Sequence, residues 1–322
     1  MSFLRSASTS VRFLTRRVYS TGAPAEKSSN SPYYFLGAGV VGLGAYFYLN
    51  QSQATMSTQE KSPLDPNNFV DFKLKKIIPY NHNTSTFVFE LPNNEASLLP
   101  VTSCLVVKSS DPAALVDAKG KPIIRPYTPI SQPDEKGILS LLVKKYENGN
   151  ASKHIHSLKE GDTLAVKGPI PKWPYKHNEF DEVALLGGGS GITPLYQVIS
   201  HALPDPANRT KFTLVYSNVT EADILMRPEI DALQKKYPNK LEVVYALDKP
   251  PAGWTGPTGF ISKDLLKKHV APASLNEKVK VFICGPPGQV AALAGKKDGF
   301  KQGELSGALK ELGYTEDQVF KF

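Results

Sequence analysis

The sequence has few of the residues that build metal sites. It contains two cysteines, Cys104 and Cys284, which form no CxxC pair, and its six histidines show no metal-ligand spacing. His154 and His156 stand two positions apart on a predicted helix and therefore diverge, so we expect surface residues there rather than ligands. The sequence predicts no metal site.

A dense stripe of lysine and arginine with interleaved aromatic residues is also absent. The net charge is +8, but Arg5, Arg12, Arg16 and Arg17 fall within the first 22 residues, which contain no acid, and the rest carries about +4. This pattern argues against nucleic acid as a ligand. A mildly basic face still suits an acidic protein partner.

Three common motifs are incomplete in Leu185–Leu195, LLGGGSGITPL, around which the chain is organised. Ile192 replaces the last glycine of both G-x-G-x-x-G and G-x-S-x-G, and the G-K-[ST] of a P-loop is missing. What is present is an apolar strand, three glycines and a helix with Pro194 in its first turn. Such a strand-to-helix turn is a good place for a phosphate. A tight turn without a ligand is the alternative.

The first sixty residues are predicted to contain a targeting peptide and a membrane anchor. Met1–Gly22 is rich in Arg, Ser and Thr without acids, which is typical of a mitochondrial transit peptide; a disordered basic tail is the alternative. Tyr33–Leu49 is an uncharged stretch with tyrosines at both ends, long enough, at about 25 Å, to cross a thin membrane as a helix. A buried core helix would fit less well between the polar flanks. Residues 50–66 are predicted to be a linker.

The region 67–171 shows short strand-like runs separated by turn signals. These features predict a small antiparallel β-barrel with one brief helix. The predicted strands are Phe69–Ile78, Thr86–Glu90, Ser103–Lys108, Gly137–Lys145 and Thr163–Lys167, and the helix is Lys153–Leu158.

Two stretches of this barrel are predicted to hold a diphosphate. In Arg125-Pro126-Tyr127-Thr128-Pro129 the prolines keep an arginine on an extended segment, which suits bidentate phosphate binding, and Tyr127 projects to the same side. In Gly149–Ser152, GNAS, small residues at a helix start present N–H groups to an anion. Ser152 could equally be a plain N-cap.

The region 182–322 alternates strands with helices, which predicts a parallel α/β sheet. Ligands of such sheets sit at the carboxyl ends of the strands, and both glycine-rich turns fall there. Cys284 ends one strand before Gly285-Pro286-Pro287 and is predicted to line the same crevice, with a small buried residue as the alternative. The predicted strands are Val183–Leu186, Lys211–Tyr216, Leu241–Ala246 and Lys280–Ile283, and the predicted helices run to about Leu203 and over Arg227–Tyr237 and Gln289–Ala294.

The order of RPYTP, the G-x-A-S loop, GGGSGITP and CGPPG resembles the ferredoxin–NADP reductase superfamily. Within it, residues 60–322 resemble the NADH–cytochrome b5 reductases, in particular the membrane-anchored mitochondrial form of fungi. The resemblance implies an FAD-binding barrel (67–171), a linker (172–181) and an NAD-binding domain (182–322), with the flavin between them. The loop Ile170–His177 is richer in proline and aromatic residues than expected, which leaves its contacts open.

The resemblance also implies roles for individual residues. Arg125 and the amides of Gly149–Ser152 would hold the FAD pyrophosphate, while Tyr127 would lie against the isoalloxazine. The other residues assigned to FAD are Thr128, Lys144, Tyr146, Asn150, Ala151 and Thr193. Those assigned to NADH are Gly188, Gly189, Ser190, Gly191, Asp223, Cys284, Gly285, Pro286 and Pro287, and Thr193 and Cys284 are assigned to catalysis.

NADH is predicted rather than NADPH because Asp223 follows the second strand of the α/β region. A carboxylate accepts hydrogen bonds from a ribose 2′-hydroxyl but repels a 2′-phosphate, and Ser217–Ala222 offers no cation. The alternative is that Asp223 is the N-cap of a helical turn.

The resemblance implies that NADH passes a hydride to FAD and that electrons then leave singly to a haem acceptor such as an acidic cytochrome b5. Two alternatives stay open: a related flavoenzyme that uses NADPH or a quinone, and a membrane-tethered scaffold without cofactor. We expect a monomer held by a single-pass N-terminal anchor. A transit peptide with one short anchor permits the mitochondrial outer membrane, the intermembrane space or both.

Overall fold

The computed structural model describes residues 61–322. The predicted transit peptide (1–22), the predicted transmembrane helix (33–49) and the linker up to residue 60 lie outside these residues. From residue 61 to the C-terminus, no helix is both long and apolar enough to cross a membrane.

Six antiparallel strands form the first half, in the order β4-β3-β6-β1-β2-β5. Ile130, just beyond β4, donates its N–H to the carbonyl of Ser140 in β5 at 2.9 Å, so the two ends of the sheet meet. Alternating residues of the strands fill the interior, among them Phe72, Phe87 and Leu105. The elements are β1 Val70–Asn81, β2 Thr84–Glu90, β3 Ser103–Ser109, β4 Arg125–Tyr127, β5 Ile138–Lys144, α1 Asn150–Ser157 and β6 Thr163–Pro171.

Five parallel strands form the second half, in the order β11-β10-β7-β8-β9. Helices cover both faces of the sheet, so the buried strands read as continuous apolar runs. One apolar cluster packs α2 and α3 against Leu185 and Leu214, and a second lies on the opposite face around Leu186 and Val215. The elements are β7 Glu182–Gly188, α2 Ile192–Ala202, β8 Lys211–Asn218, α3 Arg227–Lys236, β9 Leu241–Leu247, α4 Lys263–His269, β10 Val279–Cys284, α5 Pro287–Ala294, α6 Gly307–Glu311 and β11 Val319–Lys321.

The predicted architecture, an antiparallel sheet followed by a parallel α/β sheet, is confirmed, but several details differ. Helix α1 begins three residues before the predicted start. The alternative that Ser152 is its N-cap is wrong, because Gly149 holds that position and the Ser152 hydroxyl lies inside the helix, where it donates to the Gly149 carbonyl at 3.0 Å. Strand β11 and helices α4 and α6 were not predicted, since each is too short to show a clear period.

His156 and Trp173 each pack against an aromatic ring from a distant part of the chain. His156 is half-buried rather than on the surface: its ring packs edge-on against Phe87, with centroids 5.0 Å apart, and its Nε2 lies 2.9 Å from the Val143 carbonyl. In the loop after β6, the Trp173 ring packs 5.9 Å from that of Phe282.

The face of Trp173 also receives a buried cation. The Lys280 ammonium lies 3.6 Å from the centroid of the ring and donates to the Asp317 carbonyl at 2.5 Å. Burial lowers the pKa of Lys280 to about 8. The segment between the two sheets is therefore packed into the second half and is not a loose tether.

Candidate active site

A cavity of about 580 Å³ lies where residues of the two sheets meet. This volume is within the range of cofactor and substrate pockets. Twelve of the residues singled out from the sequence line it: Tyr127, Thr128, Lys144, Tyr146, Gly188, Ser190, Gly191, Thr193, Cys284, Gly285, Pro286 and Pro287. Seven do not: Arg125, Gly149, Asn150, Ala151, Ser152, Gly189 and Asp223.

Strand β4 brings Tyr127 and Thr128 to the cavity. Its pairing with β3 sets Leu105 opposite Tyr127 and Val107 opposite Arg125. Burial raises the pKa of the Tyr127 phenol to about 12, so this ring is a neutral, half-buried wall. Arg125 is exposed at the start of the strand, where its guanidinium donates to the carbonyl of its neighbour Ile124 at 2.9 Å. The arginine predicted to bind phosphate is thus next to the cavity and not in its wall.

The end of β5 supplies two further side chains and connects to α1. Lys144 lines the cavity, and the hydroxyl of Tyr146 lies 2.7 Å from that of Ser190 in the other half. The backbone N–H of Tyr146 donates to the Ser152 hydroxyl at 3.1 Å. The start of α1 is therefore tied to the cavity through Tyr146.

The second half meets the cavity with two glycine turns that touch each other. A Cβ atom on Gly191 would lie 2.2 Å from the Cys284 carbonyl oxygen, and one on Gly188 would lie 2.0 Å from Oε1 of Gln289. At Gly191 the obstacle is backbone, so no side chain fits there without moving the second turn, whereas at Gly188 the Gln289 side chain would have to move. Thr193, in the first turn of α2, is buried beside them.

Cys284 ends β10 at the cavity wall. Burial raises the pKa of its thiol to about 12, so the group is a neutral thiol at physiological pH. It can pack against a ligand, but it is not poised to attack one as a thiolate.

Asp223 lies in a different environment from the one the sequence predicted. It is buried outside the cavity, and the alternative that it is an N-cap is wrong: Thr220 is the N-cap of the turn Glu221–Asp223, and Asp223 closes the turn from its third position. Its carboxylate accepts from the Thr220 hydroxyl at 2.7 Å and from the Lys144 ammonium at 3.0 Å. Burial would raise the pKa of Asp223, but these hydrogen bonds outweigh it and lower the pKa below its usual value. A ribose could reach this carboxylate only by sharing or replacing the Lys144 contact.

Ten cavity residues were not assigned from the sequence, and four of them have a charged or aromatic side chain: Lys172, Lys297, Phe300 and Phe322. Lys172 follows β6, and the other three come from the C-terminal segment. The proline-rich loop around Lys172 was the one signal available. Burial, and then the nearby charge of Lys172, lower the pKa of Lys297.

The charge of the cavity suits an anionic dinucleotide. Within the described residues, no carboxylate side chain lines it, whereas three lysines do. One of them, Lys144, is paired with Asp223. Together with the glycine turns, which let a ligand approach the backbone, this wall fits the phosphates and rings of FAD and a nicotinamide nucleotide.

Comparison with known proteins gives the family. The description "Oxidoreductase FAD-binding domain" matches residues 71–175, and "Oxidoreductase NAD-binding domain" matches residues 185–294. NADH-cytochrome b5 reductase 2 of Mycosarcoma maydis is 44% identical over 342 residues, covering 100% of this chain and 95% of the relative. The protein of the same name from Coccidioides immitis is 44% identical over 315 residues, covering 95% of each chain. The chain belongs to the NADH–cytochrome b5 reductase family.

Solved structures agree with this family. The cytochrome b5 reductase domain of Ulva prolifera nitrate reductase has a TM-score of 0.70 at 27% identity and covers 81% of this chain and 100% of that one. The CS-b5R domains of human Ncb5or, in an NAD+ form, have a TM-score of 0.60 at 26% identity over 79% of this chain and 69% of that one. As a reductase of this family, the chain has an FAD-binding and an NAD-binding domain, and both predicted cofactors are confirmed. The roles of individual residues stay predictions.

Proposed function

We propose that this protein oxidises NADH and passes single electrons to cytochrome b5 or a similar haem protein. The observation that carries the proposal is that both halves contribute to one cavity. Tyr127 and Thr128 of the FAD-binding half and Thr193 and Cys284 of the NAD-binding half line the same space. The flavin, when bound, supplies the conversion between a hydride and single electrons.

The chain's own residues would hold, orient and desolvate the reacting groups. Arg125 and the amides at the start of α1 would hold the FAD pyrophosphate, and the neutral ring of Tyr127 would lie along the flavin. Gly188, Gly191 and Gly285 would let the nicotinamide nucleotide approach the backbone. A neutral Cys284 and a buried Thr193 would close the cavity beside the ring and exclude water. Neither a general acid nor a general base is needed in this scheme.

The preference for NADH is proposed on the charge around Asp223. The cation nearest in sequence, Arg227, pairs with Glu221 at 2.5 Å and with Asp231 at 3.6 Å. A 2′-phosphate placed at this turn would therefore be repelled by the carboxylates, because Arg227 is already paired with two of them.

We also propose that residues 33–49 anchor the protein in the mitochondrial outer membrane as a single-pass helix, after a transit peptide at 1–22, and that it is a monomer. The same transit peptide and anchor also allow a fraction of the protein molecules to be located in the intermembrane space. The composition of these segments supports this placement.

The test is an anaerobic NADH titration of the purified full-length protein, followed by turnover with cytochrome b5. We expect flavin absorbance that is bleached by one equivalent of NADH, and faster reduction of cytochrome b5 with NADH than with NADPH. Faster turnover with a quinone, or a higher rate with NADPH, would favour the related flavoenzyme. A colourless protein that binds no FAD would overturn the proposal.

A further inference from the structure

The tip of the β1–β2 hairpin (Tyr80–Thr84) belongs to the FAD-binding half but contacts the turn that carries Asp223 in the other half. We refer to residues 220–226 as the β8–α3 turn. The Asn81 side-chain amide donates to the Ala222 carbonyl at 2.9 Å, and the backbone N–H of Met226 donates to the Tyr80 hydroxyl at 2.7 Å. The hairpin tip thus forms hydrogen bonds with the β8–α3 turn on both sides of Asp223.

Tyr80 also completes the start of helix α3. Met226 occupies the N-cap position in the left-handed conformation, with φ 59°, and its thioether is a poor hydrogen-bond acceptor. The Tyr80 hydroxyl accepts from the N–H of Met226 itself, one of the donors at a helix start that have no carbonyl partner within the helix. The ring of Tyr80 meanwhile packs on the apolar cluster beneath α2 and α3. The path of the turn therefore depends on a residue of the other half.

Lys144 reaches the same turn because of the sheet register. Thr84 at the hairpin tip pairs with Lys144 of β5, and the N–H of Lys145 donates to the Asn83 carbonyl at 2.7 Å. The hairpin tip and Lys144 therefore form one continuous edge. From this edge the Lys144 ammonium lies 3.0 Å from Oδ1 of Asp223, and the exposed imidazole of His82 lies 3.7 Å from the same atom.

We propose that the hairpin tip is a positioning element for Asp223 and thereby sets the selectivity for NADH over NADPH. Tyr80 and Asn81 do not line the cavity; they act through the β8–α3 turn, whose carboxylate discriminates a ribose diol from a 2′-phosphate. This inference rests on the proposed use of a nicotinamide nucleotide. It assigns part of the specificity of the NAD-binding half to side chains of the FAD-binding half.

The test uses Asn81→Ala and Tyr80→Phe in the full-length, FAD-loaded protein. Each change removes one hydrogen bond to the turn, and Tyr80→Phe keeps the ring. We expect the ratio of kcat/KM for NADH to that for NADPH to fall about two- to tenfold in each variant, mostly through KM, with kcat within about twofold of the parent. Asn178→Ala is the matched control, because the Asn178 amide also donates to a backbone carbonyl, that of Ala207 at 3.0 Å, at a site remote in sequence from this turn. It should leave the ratio unchanged.

A double-mutant cycle separates positioning from general destabilisation. In an Asp223→Ala background, Asn81→Ala should produce no further change in selectivity, since the group it positions is gone. Equal effects in both backgrounds, or an unchanged ratio in both single variants, would overturn the inference. Calorimetric titration of each variant with NAD+ and with NADP+ provides a readout that needs no electron acceptor. Failure to reduce cytochrome b5 would count against the proposed function alone, whereas unchanged relative binding of the two nucleotides would count against the hairpin tip.

Discussion

The two halves of the molecule build their shares of the cavity from different groups. The FAD-binding half contributes mainly side chains, from Tyr127 and Thr128 on β4 and from Lys144 at the end of β5. The NAD-binding half adds four glycines, Gly188, Gly191, Gly285 and Gly299, beside its side chains, whereas none of the described glycines of the FAD-binding half lines the cavity. An antiparallel barrel presents side chains from the faces of its strands, whereas a parallel sheet presents the turns at its carboxyl ends. We therefore expect cofactor binding and turnover to suffer in the first half when a substitution removes side-chain atoms. In the second half they should suffer when a substitution adds a side chain to a glycine.

The largest effect should follow from one methyl group added to the second half. In Gly191→Ala the new Cβ would lie 2.2 Å from the Cys284 carbonyl oxygen, and the two glycine turns must separate. We expect NADH turnover to fall at least about 100-fold, because displacing a binding turn by about an ångström misplaces the reacting groups. Steady-state kinetics measure this. Gly288→Ala is the matched control, since nothing lies within 4 Å of its added Cβ. Equal activity of the two variants would contradict the comparison.

The next effect should follow from the removal of a cation from the first half. Arg125→Ala should weaken FAD binding about 10- to 100-fold, because hydrogen bonds from a guanidinium to a phosphate are charge-assisted. The FAD-to-protein ratio after gel filtration and a titration of the apoprotein measure this. Arg209→Ala removes an exposed arginine from the second half and should leave FAD binding unchanged. Full FAD retention in Arg125→Ala would remove this residue from the proposed phosphate site.

A smaller effect is expected at the carboxylate that both halves share. Asp223→Thr removes the charge but keeps a hydroxyl for the turn, and the preference for NADH over NADPH should fall about tenfold. The ratio of kcat/KM for the two nucleotides measures this. Asp205→Thr, at a turn-closing aspartate of the same half that accepts from the N–H of Ala207, is the control and should not change the ratio. A ratio unaltered in Asp223→Thr would refute the predicted ribose role.

The smallest effect should come from a single hydrogen bond between the halves. Tyr146→Phe loses the contact with the Ser190 hydroxyl, and because Tyr146 is 45% exposed, water replaces most of it. We expect a loss of less than about 1 kcal/mol in the free energy of unfolding, measured by urea denaturation. The coupling with Ser190→Ala in a double-mutant cycle reports the bond itself. A loss well above this value would mean that side chains of the first half hold the two halves together more strongly than we infer.

The sequence predicted the features that local chemistry determines. The RPYTP segment, the glycine turn and the CGPPG turn each carry their signal within a few residues, and all three meet at one cavity. It could not predict which groups distant elements bring together. The pairing of Lys144 with Asp223 depends on the register of β5 and on the docking of the two halves. The approach of Phe322 to the cavity depends on β11, a strand of three residues that pairs beside β10.

Burial was the other property beyond the reach of the sequence. Thr220 and Asp223 have the spacing of a capping box, but nothing near them in the sequence indicates that Lys144, from β5, also pairs with Asp223. His156 likewise looked like a surface histidine because the aromatic ring that covers it, Phe87, comes from β2. Such enclosures are set by tertiary contacts between segments tens of residues apart.

The packing of Trp173 gives the protein an internal optical reporter. The chain has two tryptophans, and the indole of this one rests against an ammonium group and two phenylalanine rings contributed by β10 and β11. Its fluorescence will therefore report on the segment between the two sheets without any added label. With the other tryptophan, Trp254, replaced by phenylalanine, a shift in the emission maximum on adding NAD+, which does not absorb the emitted light, would show the segment between the halves moving as the ligand enters.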